Sequence, residues 1–167
     1  TVADLEDSGR TAVAKYVCNY TEDLFETQWH DGSFFSMGDI LMHMIHVFDW
    51  AKEDSAIYDE DQVGVFNSFM SAFKGWRITS TDPLIVEYYT DSYGLDAEEG
   101  FNDFRCGYPN YGDYGHSGPW HMIALGQMTE ANGTAAFAEG KAQRIEGEWL
   151  TYIGGPSLDL LAEQLVI

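Results

Sequence analysis

The chain has 167 residues, 45% hydrophobic and 15% aromatic, a composition that suits one globular domain over 1–167 burying about 70% of its unfolded surface. Aspartate and glutamate total 28 against 8 lysines and arginines, a formal net charge of −20 with a sequence pI near 4.2. That charge repels phosphate backbones and anionic bilayers, which argues against nucleic-acid and lipid partners, and no apolar run reaches the length of a membrane span.

Val13, Tyr16, Val17, Tyr20 and Leu24 recur at helical spacing and predict a first amphipathic helix over about 3–26, with Asn19 on its outer side. Gly32 and Ser33 interrupt it. Ser36 with Asp39 three residues later is a capping-box variant that opens a second helix reaching about Lys52. A third starts at an Asp59 cap, carries the stripe Phe66, Phe69, Met70 and Phe73, and has Lys74 and Arg77 at its end to match the helix dipole.

Asp82-Pro83 reads as a cap followed by proline at the first helical position, with Gly94 closing a short fourth helix. The least regular stretch follows, a Gly/Tyr-rich loop over about 94–118 that a short helix near 97–105 interrupts. Pro119 opens a fifth helix that Asn132-Gly133 closes. Thr134 caps a sixth, with Ala138, Ala142, Ile145, Trp149 and Tyr152 on its buried face and Gly154-Gly155 at its end; Ser157 caps a last short one carrying Leu158, Leu161 and Leu165. No segment sustains period-two alternation and no repeat has a fixed period. The expected fold is all-α, with six to seven mostly antiparallel helices in one domain.

At 100° per residue, Asp39, His43, His46 and Trp50 fall within an arc of roughly 60° on the second helix, opposite Ile40, Leu41, Met44, Ile45, Val47 and Phe48. Three uses of this stripe compete. The histidines are core or edge residues satisfied by hydrogen bonds. Alternatively, Asp39, His43 and His46 contribute ligands to a divalent metal such as zinc or copper, completed by His116 and His121, with His30-Asp31 a weaker set. In the third, Asp39 favours protonated His43 and makes packing respond to mild acid. No HExxH, Glu-x-x-His pair or His-x-Glu signature accompanies them.

The acids at 59–61 belong to a helix start rather than to a calcium loop, since Val63 and Met70 occupy ligand positions. No nucleophile elbow or phosphate loop supports acyl or phosphoryl transfer. Tyr108, Tyr111, Tyr114 and Trp120, interleaved with glycines and Asp113, have the character of an adaptable recognition surface, against which sugar rings also stack.

Cys18 and Cys106 form no CxxC pair; in an oxidising compartment they can close a long loop worth about 4–5 kcal/mol at most, and otherwise they are buried thiols. Asn19-Tyr-Thr21 and Asn132-Gly-Thr134 are glycosylation acceptors, and a start at Thr1 without Met or signal sequence is what a processed, secreted chain would have. The acidity itself fits salt adaptation, a store of divalent cations or a solubilising coat.

The function that follows is an extracellular, strongly acidic, disulfide-closed glycoprotein domain for binding or assembly, with a protein partner or self-association through the aromatic loop and the apolar second helix. Two alternatives stand beside it, a metal-binding protein or metalloenzyme using the His/Asp cluster, and a glycan-binding or glycan-cleaving protein using the loop. No residue is assigned to catalysis.

Overall fold

The computed structural model describes residues 9, 11–93, 95 and 118–165. Six helices and five strands occur among them, so the fold is mixed α and β and the all-α expectation is corrected. The elements are β1 (Ala14–Asn19), α1 (Glu22–Phe25), α2 (Met37–Trp50), α3 (Glu60–Ala72), β2 (Phe73–Thr81), β3 (Leu84–Thr90), α4 (Trp120–Ala131), β4 (Ala135–Ala136), α5 (Glu139–Arg144), β5 (Glu148–Trp149) and α6 (Pro156–Glu163).

The largest sheet is antiparallel in the order β1-β3-β2. Cys18 and Ile78 flank Val86 in register, and Tyr16 and Trp76 flank Tyr88, which lines up one face of the sheet. That face meets Tyr20, Phe35, Ile40 and Leu84 in the principal core. The helix expected over 3–26 fails here, and Val13 and Val17 are exposed although they belong to its predicted apolar stripe. Of the five residues at helical spacing, Tyr16 and Val17 lie in a strand whose Ala14, Tyr16 and Cys18 turn inward while Lys15, Val17 and Asn19 are exposed. Only the single turn of α1 remains helical.

The helix expected after Asp82-Pro83 is replaced by β3. Asp82-Pro83 is a cis peptide forming the two-residue turn between β2 and β3, where Thr81 faces Leu84. The β-branched and aromatic residues of Leu84-Ile-Val-Glu-Tyr-Tyr-Thr90 favour the pleated conformation once two neighbours are available to pair. Lys74 and Arg77 therefore lie on β2 and not at a helix end; they pair across the sheet with Asp91 and Glu87. Glu87 also takes Lys15, at 2.9 Å, and accepts the Tyr89 hydroxyl at 2.5 Å. The Tyr89 hydroxyl, Lys15 and Arg77 hold the Glu87 carboxyl down at about 2.

Local helix signals fare better. The capping box at Ser36 and Asp39 is formed, the Asp59 side chain accepts from Asp61 N, and Asn132 with left-handed Gly133 follows the end of α4. The sixth expected helix shrinks to α5. After α5 the chain reverses through Glu146 at φ 53° and Gly147, whose space is closed by Thr134 O, and β5 then pairs in parallel with β4. Ser157 is not the cap of α6, which is Gly155 at φ 77°; its buried hydroxyl instead ties Thr151 N to Trp149 O.

Among the helices, α2 packs most extensively on α4, and a second core of Trp50, Ile57 and Phe137 forms beside Leu150 and Tyr152. Gly126 on α4 is the point of closest approach: a Cβ there would collide with the Phe137 ring and the Tyr152 hydroxyl. Tyr152 in turn donates to Met122 O at 2.8 Å. Gly126→Ala is therefore expected to destabilise the fold by roughly 1–3 kcal/mol, the usual cost of overpacking. Urea unfolding followed by circular dichroism checks this, as a lower midpoint with an unchanged slope.

Candidate functional site

The residues singled out in the sequence converge in part on the junction between α2 and α4. Asp39, 1% exposed, accepts Ser36 N at 2.6 Å through Oδ2 and Trp120 N at 2.7 Å through Oδ1. One carboxylate thus serves the amino-terminal ends of two helices, where unsatisfied amides and the helix dipoles favour a negative charge. The Ser36 hydroxyl completes the arrangement by accepting from Gly38 N.

The histidine stripe faces inward. His46 is fully buried, with Nδ1 2.9 Å from Gln127 Nε2 on α4. Its ring packs against Trp50, centroids 4.9 Å apart, and against Phe137, centroids 4.8 Å apart in an edge arrangement. His43 is also buried, and desolvation pushes its imidazole down to about 4, so it is neutral at pH 7. Burial, rather than attraction to Asp39, decides its protonation.

His121 lies apart from this pair, with Nε2 2.8 Å from Asp31 Oδ2, and His116 lies outside the described residues. No group of three or more His, Cys, Asp or Glu among the described residues can hold a metal ion, which corrects the metal-binding expectation. Asp39 is taken by backbone amides, His46 Nδ1 by Gln127, and His121 Nε2 by Asp31.

A buried acid network next to the histidines was not anticipated. Glu130 on α4 is 2% exposed and its Oε1 lies 2.7 Å from Lys141 Nζ, which also donates to Ile57 O. Burial raises the Glu130 carboxyl above its ordinary range, opposed by Lys141. Arg144 binds buried Asp59 and the more exposed Asp61, each at 2.5 Å. These pairs pin α5 to the start of α3 and to α4. Sequence separations of 11 to 85 residues leave no local motif; the one available signal is two cations, Lys141 and Arg144, on a single short helix of a chain so poor in them.

Of the recognition residues expected in the sequence, Trp120 is 46% exposed at the start of α4, whereas Tyr108, Tyr111, Asp113 and Tyr114 lie outside the described residues. Asn19 and Asn132 occupy exposed positions, the second donating to Gln164 Oε1. No disulfide lies wholly among the described residues, since Cys106 is outside them; Cys18, buried on β1, is nonetheless not a free thiol.

A separate surface feature lies on α2 and α3. No residue of α3 is buried, although Phe66 and Phe69 pack on Phe48 and Phe73 with centroids 4.8 to 6.1 Å apart. Ile45, Val65 and Met70 are exposed. Gln62 to Phe73 carries no charged residue, in a chain with 28 acids. No family model, curated protein or solved structure matches the chain.

Two outcomes follow for the α2–α4 junction. Asp39→Asn places an amide donor against Ser36 N or Trp120 N and is expected to cost about 1.5–3 kcal/mol, the range for hydrogen bonds to a charged group, read as a lower melting temperature. For His43 the folded value of about 4 lies below the ordinary 6.5, so its contribution is complete above pH 6.5 and lost as pH falls toward 4. That loss reaches about 3 kcal/mol. Unfolding free energies at pH 7 and pH 4.5 in the wild type and His43→Gln check it, with a smaller pH difference in the variant.

Proposed function

We propose that this chain is an acidic extracellular module for binding and assembly, and that the apolar residues exposed on α2 and α3 join it to a second copy of itself. The observation that carries the reading is the exposure of Val65 and Met70 within a run from Gln62 to Phe73 that has no charge, with Ile45 also exposed on α2. Interface cores are depleted of charged residues and enriched in phenylalanine and methionine. At a net charge of −20, most surfaces of two copies repel, while an apolar face is self-complementary and suits a two-fold contact. The exposed acceptor sites at Asn19 and Asn132 support an extracellular setting. No helix among the described residues is long and apolar enough to cross a membrane.

Sedimentation of the purified chain over a range of concentration and salt tests the reading. A reversible dimer is expected that strengthens as salt screens the repulsion. Ile45→Asp with Val65→Asp is expected to leave a monomer with the wild-type circular dichroism spectrum. A wild type that stays monomeric at every concentration and salt overturns the proposal.

A further inference from the structure

We infer that Trp120, His121 and Asp31 form a subsite for one neutral pyranose ring of a β-linked glucan or N-acetylglucosamine chain. The site is distinct from the α2–α3 face, so either reading stands if the other fails.

Three features carry the inference. The first is a fixed aromatic platform. The Trp120 amide is held by Asp39 Oδ1, and its indole rests on the first turn of α2, where a Cβ at Gly38 would lie 3.0 Å from Trp120 Cδ1. Glycine at 38 is what lets the ring lie there. Nearly half of Trp120 nonetheless remains open, so the ring is held without being covered. Little rotamer entropy is left to lose on binding.

The second is a polar pair beside the ring. His121 and Asp31 are both partly exposed, and the imidazole ring stands edge-on to the indole with centroids 5.7 Å apart. Asp31 Oδ1 is taken by Ser33 N and the Ser33 hydroxyl, which orients the carboxylate and leaves Oδ2 toward His121. With Nε2 on Asp31, Nδ1 is the ring nitrogen left to meet a sugar hydroxyl. Asp31 Oδ2 has a second lone pair, so the pair offers two polar positions for ring hydroxyls.

The third is the choice of ligand. In β-linked glucose and N-acetylglucosamine every ring C–H is axial, giving flat apolar faces whose hydrogens pack on the negative face of an indole, while the equatorial hydroxyls at the rim are donors. Uronates and sulfated sugars are repelled by the net charge of −20. Trp149, also exposed, has its Nε1 committed to Phe137 O and serves as the internal comparison.

Calorimetric and fluorescence titration of the whole chain with cellohexaose, with the hexamer of N-acetylglucosamine and with an alginate hexamer tests this. Saturable binding of at least one neutral oligomer and none of alginate is expected. Trp120→Ala weakens it by at least about tenfold, His121→Ala and Asp31→Asn each by a factor of about 3 to 10, and Trp149→Ala leaves it unchanged. Absence of binding by both neutral oligomers overturns the inference, as does affinity retained in Trp120→Ala. If Trp120→Ala does not fold, unchanged affinity in both His121→Ala and Asp31→Asn overturns it.

Discussion

The Asp39 carboxylate is the constraint on which the arrangement of the helices depends. Its two oxygens accept from the ends of α2 and α4, which are 81 residues apart in sequence at the Trp120 contact. Because both helices present unsatisfied amides and the positive ends of their dipoles at this point, a buried anion is stabilised there without a cationic partner. Fixing both ends sets the register in which His46 meets Gln127, and Gly126 lets α4 approach Phe137 and Tyr152. The exposed position of Trp120 follows from the same contact.

Electrostatics divides the molecule into two regimes. Among the described residues every lysine and arginine pairs with an acid, Lys52 with Asp54 at the surface. Lys15 and Arg77 bind Glu87 on the sheet, Lys74 binds Asp91, and Lys141 and Arg144 bind buried Glu130 and Asp59. Lys15 with Glu87 and Arg144 with Asp59 join elements far apart in the sequence. Glu130 and Asp59 need their cations because a buried carboxylate loses its hydration, and removing either partner would leave a charge uncompensated. Many of the other acids among the described residues are exposed, and like charges at such positions repel.

The histidines show why spacing alone did not reveal a use. The grouping of Asp39, His43 and His46 on one side of α2 was legible from a 3.6-residue period, and all three are buried. Their direction was not. The stripe could have bounded solvent, gathered a metal or entered the core, and only the position of α4, which brings Gln127 to His46 and Trp120 N to Asp39, decided for the core. Cys106, His116 and four residues of the aromatic loop lie outside the described residues.

By itself, the sequence determined what local chemistry can specify. The capping box at Ser36 and Asp39, the Asp59 cap, the start of α4 after Pro119 and its end at Asn132-Gly133 are all decided by side chains and backbone angles within a few residues. Tertiary structure alone decided that 14–19, 73–81 and 84–90 are strands, because a strand is completed by hydrogen bonds to distant neighbours and its short apolar pattern also fits a helix. It likewise decided the buried ion pairs, whose members find each other only after the chain has closed loops that no local spacing records.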